Sequence, residues 1–104
     1  MSKKVVFLIG NLNGPKYWEP YEKMEDELTA EGVIPLSPSR LPYNLTEEKK
    51  MQLQFAMINA ADAVILVPDK HFCVMGQVML SYSKALGKPL VTLSKLDDLR
   101  GDLV

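Results

Sequence analysis

A chain of 104 residues with 47% hydrophobic side chains has room for one core and excludes two domains, so residues 1–104 are read as a single unit with one site. Its 12 basic and 13 acidic side chains nearly cancel, which excludes a broad pull toward phosphate backbones or anionic membranes; nucleic acid is not the expected partner. The single cysteine, Cys73, excludes an intramolecular disulfide framework and a cysteine metal cluster.

The first element is Val5-Val6-Phe7-Leu8-Ile9, a continuous apolar run ending at Gly10, as expected of a strand covered on both faces. It is too brief for a signal h-region or a membrane span, so the protein is expected in the cytoplasm. Next comes a helix with Pro20 in its first turn, Tyr21, Met24 and Leu28 on one face, and Gly32 at its C-cap. Val33-Ile34-Pro35-Leu36 is a shorter strand. Residues 37–45 form a proline-rich connection, with Leu41 and Tyr43 as tethers, that reads equally as a lid over a site or as a stiffened surface loop.

Thr46 caps the second helix, Glu47 and Glu48 favour its positive end, and Met51, Phe55 and Ile58 recur along one face. Ala63-Val64-Ile65-Leu66-Val67 is a third strand. Val78, Tyr82 and Leu86 mark a third helix that Gly87 and Pro89 end, and Leu90-Val91-Thr92-Leu93 is the fourth strand. Leu96, Leu99 and Leu103 in the tail suit a short helix or a frayed end. Alternating strands and helices call for right-handed crossovers and an open parallel α/β sheet of Rossmann-like or flavodoxin-like order, with helices on both faces.

In such a sheet the loops after the strands meet at one edge, which makes residues 10–18, 37–43, 68–76 and those after Leu93 the candidates for a ligand crevice. Gly10, Asn11, Asn13 and Gly14 combine backbone freedom with side chains that donate and accept, yet the stretch is neither a Walker loop nor a dinucleotide fingerprint. Asp69, Cys73, Val74, Met75 and Gly76 lead into the third helix, whose free amides and dipole suit a phosphate or carboxylate. Lys70 and His71 would add charge there, although such residues are ordinarily just solvated. Cys73 would be nucleophilic only if the helix end lowered its pKa; the ordinary reading is an inert thiol. Tyr17, Trp18 and Tyr43 serve equally to stack on a base or to pack the loops.

The order of these words resembles the nucleoside 2-deoxyribosyltransferase superfamily, especially its small phage-associated branch, DUF4406. Leu8-Ile9-Gly10-Asn11-Leu12-Asn13-Gly14 is similar to the family's Ile-Ala-Gly-Pro-Met-Thr-Gly loop. Ala61-Asp62-Ala63-Val64 and Ala85-Leu86-Gly87-Lys88-Pro89 match its later words. The resemblance implies a Ser-x-Gly-Ala-x-x-Glu motif opening the third helix, with the serine and amides holding a hydroxyl or phosphate and the glutamate attacking the anomeric carbon.

Here the pattern departs. Counting back from Gly87 puts Cys73 at the serine, Met75 at the glycine, Gly76 at the alanine and Met79 at the glutamate; a register slipped by one puts Leu80 there. Counting back from Asp62 puts Gln54 at the second family carboxylate. A thioether forms no glycosyl ester and an amide is no general acid, so no catalytic residue is assigned.

The expected protein is therefore a catalytically inactive relative that binds, and in a phage setting sequesters in the host cytoplasm, a nucleotide or nucleoside-like molecule. Its ligand-binding set is Gly10, Asn11, Asn13, Gly14, Tyr17, Asp69, Cys73, Val74, Met75 and Gly76. No metal or cofactor is expected, and the resemblance implies a homo-oligomer. Two alternatives stand beside it: an N-glycosidase or deoxyribosyltransferase using a relocated acid such as Asp69 or Glu19, and a ligand-free interaction protein with methionine-rich helix faces. Met79 also reads as plain core filler, and Gln54 as an exposed helix residue.

Overall fold

The computed structural model describes residues 4–10, 18–42, 44–67 and 74–91. The apolar runs become strands β1 (Val5–Ile9), β2 (Ile34–Leu36), β3 (Ala63–Leu66) and β4 (Leu90–Val91), alternating with helices α1 (Trp18–Ala30), α2 (Glu47–Ala60) and α3 (Val74–Ala85). All described pairings are parallel and the sheet order is β2-β1-β3-β4. The expected α/β class and flavodoxin-like order are therefore those of the molecule. Thr92 and Leu93, the expected end of β4, and the tail with Leu96, Leu99 and Leu103 lie outside the described residues.

Pleating sends alternate residues of β1 to opposite layers. Val6 and Leu8 pack with Ala63, Ile65 and the α1 residues Tyr21, Met24 and Leu28. Phe7 and Ile9 pack with Val64, Ile58 of α2 and Met79 of α3. One helix thus covers one face and two cover the other. Full burial of side chains of this size stabilises the fold by about 1.5–3 kcal/mol each.

Local chemistry sets the helix ends. The Thr46 hydroxyl accepts from the Lys49 amide at the start of α2. After α1, Gly32 takes φ +80°, its amide donates to Thr29 and the Val33 amide donates to Leu28. Gly87, at φ +74°, closes α3 in the same way: its amide donates to Lys84 and that of Lys88 to Ser83. Both are Schellman ends, which a left-handed glycine makes at no steric cost.

Asp62 fixes the register at the other end of the sheet. Its carboxylate accepts from the Val5 amide at 2.8 Å, while its own amide donates to the Val5 carbonyl at 2.7 Å. The aspartate of the Ala-Asp-Ala-Val word is thus a structural clasp between β1 and β3.

The expected third helix is present as α3. Gly76, Met79 and Ser83 are its buried residues, whereas Val78 and Tyr82 are half-buried and Leu86 lies exposed beyond the helix. Two neighbours share this helix: Met79 faces the sheet cluster, while the Tyr82 ring stacks at 4.3 Å on Phe55 of α2 and its hydroxyl donates to Asn59. The 78/82 spacing therefore marks the contact between α2 and α3. Likewise Gln54 and Ile58, rather than Met51 and Phe55, are the buried residues of α2.

β2 forms an edge of the described sheet and carries Pro35 opposite Val6. The neighbouring Ile34 amide donates inward, to the Lys4 carbonyl. Beyond β2, Ser37 caps a single 3-10 turn, Pro38–Arg40, in which Pro38 is buried. The Arg40 guanidinium grips the Glu25 carboxylate of α1, tying the connection to that helix. This contact, with the field of Glu22 and Asp26, raises the Arg40 pKa further above its ordinary value. No helix among the described residues is long and apolar enough to cross a membrane.

Candidate functional site

From β1 the chain crosses through α1 to β2 on one side, and from β2 it crosses through α2 to β3 on the other. The two crossovers part between β1 and β3, so the carboxyl ends of these strands flank the topological switch point where open α/β sheets bind ligands. Gly10 follows β1 there and Val67 follows β3, joined by the Val67 amide donating to the Ile9 carbonyl at 2.8 Å.

Gly10 is at home here because of crowding. A Cβ on it would stand 2.9 Å from the Tyr21 hydroxyl and 3.0 Å from the Val67 Cβ. The side on which a side chain would project is thus filled by Tyr21 of α1 and by Val67, the residue after β3. Tyr21 is fully buried and Val67 nearly so, and both lie beneath Gly10 at the carboxyl end of β1. Sequence reasoning placed Tyr21 only in the core; the cue was a large aromatic in the first helix after a glycine-led turn.

Of the other expected ligand residues, Val74, Met75 and Gly76 form the first turn of α3, at the same edge of the sheet. Val74 is 75% exposed, Met75 half-buried against the α2/α3 layer, and Gly76 buried. Asn11, Asn13, Gly14, Tyr17, Asp69, Lys70, His71, Cys73 and Tyr43 lie outside the described residues. Glu19, the alternative acid, is exposed in the first turn of α1.

The two positions matched to family carboxylates are both interior. Met79 is 1% exposed, in the cluster of Phe7, Ile9, Ile58, Ala61 and Val64. It is core filler, as its side chain allows. Gln54 is 3% exposed, which corrects the reading of it as an exposed helix residue, and its side-chain nitrogen has no hydrogen-bond partner among the described residues. Its burial was visible only through its spacing of four from Ile58, a signal hidden by the Met51-Phe55 stripe. Among the described residues no group of three or more His, Cys, Asp or Glu side chains is placed to hold a metal ion.

The fold and its switch point define a doubly wound α/β protein. Its family is equally plain: the model of the domain of unknown function DUF4406 matches residues 4–92, and the chain belongs to that family.

Solved structures share the fold. A 2-deoxyribosyltransferase from Leishmania mexicana superposes with TM-score 0.69 at 25% identity, over 86% of this chain and 63% of that one. A 2-deoxyribosyltransferase from the bacterium Bacillus psychrosaccharolyticus gives 0.69 at 18% identity, over 85% and 70%. The Clostridium botulinum CMP N-glycosidase gives 0.66 at 15%, over 92% and 82%. The chain therefore has the nucleoside deoxyribosyltransferase-like fold, although it spans only 63% of the length of the Leishmania enzyme. No protein of curated function matches it.

Proposed function

We propose that the protein binds a nucleoside or nucleotide at the switch-point crevice and does not break its glycosidic bond. The observation that carries this reading is Met79: the position matched to the family nucleophile holds a thioether inside an apolar cluster. A thioether has no ionisable oxygen to attack an anomeric carbon, and the amide of Gln54 has no proton of suitable acidity for a leaving base. Losing both members of a cooperating pair lowers a rate by several orders of magnitude. The fold shared with two deoxyribosyltransferases and a CMP N-glycosidase supports a nucleoside-like ligand. In this reading Gly10, Val74, Met75 and Gly76 border the ligand together with Asn11, Asn13, Gly14, Tyr17, Asp69 and Cys73, in a cytoplasmic homo-oligomer.

Calorimetric titration with the common deoxyribonucleosides, their 5′-monophosphates and CMP, with chromatography of the same mixtures for free base, tests the proposal. Binding without release is expected. Free base released at a rate that Glu19→Gln or Asp69→Asn abolishes would replace the proposal with an enzyme using a relocated acid. Absence of binding across the panel would overturn it outright.

A further inference from the structure

Helix α2 is apolar on more than its core side. Gln54 and Ile58 are its buried residues, and Phe55 and Asn59 turn to Tyr82 of α3. Leu53 and Met57 each stand about 160° round the helix from Phe55, on the flank away from α3. That flank looks toward β2, because the sheet order puts β2 on the side of β1 opposite to β3 and β4, between which α3 crosses. Ile34 of β2 pairs with Val5 and Leu36 with Phe7, so both project into the layer of α2. Leu53 is 41% exposed and Ile34 43%, an apolar shoulder that no described element covers.

Charge singles out the same surface. From Met51 to Ala60 the helix has no charged residue, although Gln52, Leu53, Ala56, Asn59 and Ala60 are all exposed. A helix face that meets only water ordinarily carries charges, whereas the centres of protein interfaces are depleted of them. The charges of α2 are confined to its first four residues and cancel there, Glu47 and Glu48 against Lys49 and Lys50. The other helices are not balanced in this way. α1 sets Glu19, Glu22, Glu25, Asp26 and Glu27 against Lys23, and α3 has Lys84 and no acid, so identical copies meeting on either would repel.

We infer that the flank of α2 bearing Leu53, Ala56, Met57 and Ala60, with Ile34 beside it, is a two-fold interface with a second copy of this chain, the two α2 helices packing antiparallel. This deepens the homo-oligomer of the reading above and rests on that part of it alone. A two-fold axis brings the same patch together from both copies, so the patch must complement itself. Antiparallel helices meet that condition. The small side chains of Ala56 and Ala60 let the axes approach. Lys49 and Lys50 of each copy come beside the C-terminal end of the other copy's α2, where the helix dipole favours cations and α2 has no basic residue in its own last turn.

The test is self-association of the full chain, followed by light scattering on a size-exclusion column and by sedimentation over a range of concentrations. Leu53→Glu and Ala56→Glu are compared with wild type, and Gln77→Glu, on an exposed position of α3, is the control. Both test positions are exposed in the single chain, so circular dichroism should show unchanged helix content. The expected result is a wild type of two or more copies and self-association at least about tenfold weaker in each test variant. The control should associate like wild type.

A wild-type assembly that persists in both test variants would overturn the inference and leave the homo-oligomer to another surface. A control that dissociates as readily as the test variants would also overturn it, since added charge anywhere would then suffice. A wild type that is monomeric at every concentration would end both the interface and the homo-oligomer.

Discussion

At the scale of single residues, Gly10 and Met79 make opposite demands on the same end of the sheet. At Gly10 the atoms a methyl group would meet are the hydroxyl of a fully buried tyrosine and a buried valine, so neither yields freely. Gly10→Ala is expected to destabilise the fold by about 1–3 kcal/mol, the usual result of overpacking. Because the tyrosine oxygen is the nearest of those atoms, Tyr21→Phe should relieve part of that loss. A double-mutant cycle in urea would then show a favourable coupling between the two changes; strict additivity would place the strain elsewhere.

Met79→Glu restores the family's residue type but puts a carboxyl group into an apolar cluster. Burial raises the pKa of such a group and favours its neutral form, so the variant should lose stability by several kcal/mol. It should also stay silent in a base-release assay. Release of base by this variant would show that one substitution separates the chain from an active enzyme.

At the scale of elements, the tie between the 3-10 turn and α1 is the feature most open to experiment. Arg40 is mostly exposed while the Glu25 carboxylate beneath it is nearly buried, so the contact holds the turn down more than it stabilises the core. Raising the arginine pKa adds stability that is complete below the ordinary arginine value and is lost only as pH climbs beyond it, so this contribution is constant through neutrality. Arg40→Ala should quicken chymotryptic cleavage within residues 37–45 with little change in melting temperature. An unchanged cleavage rate would show that the Ser37 cap and buried Pro38 hold the turn without the arginine.

Elements with a local cause were legible in the sequence. Gly32, Thr46 and Gly87 act through their own backbone or the next turn, and they end or start helices where their chemistry says they should. The identity of each buried face was less legible, because α3 meets both the sheet and α2, and the half-buried 78/82 row is as apolar as the buried one. Gly10 was legible as a turn residue, but the reason for it, Tyr21 arriving from the next helix, is a tertiary contact that spacing along the chain cannot encode. The burial of Gln54 was harder to read: its spacing of four from Ile58 was the one cue, its polarity suggested solvent, and the packing of α2 on its neighbours decided the matter.

For the whole molecule, the order β2-β1-β3-β4 determines where a ligand can go and leaves β2 with a free side in the described sheet. The expected homo-oligomer belongs at this scale. Light scattering on a size-exclusion column should give a mass of two or more chains, and a strict monomer would count against pockets shared between copies. Such association would have to use surfaces other than strand-to-strand addition at β2, and Pro35 explains why.

Successive amides of a strand point to opposite sides. With the Ile34 amide turned inward to Lys4, the position whose N–H would face outward is the one occupied by proline, which has none. The border of the sheet is thereby made a poor template for a foreign strand, protecting the protein from fibrillar or amorphous self-association when it is concentrated or warmed. Pro35→Val would supply the missing donor on a β-branched residue, and its cost should appear as earlier turbidity on heating rather than as a failure to fold.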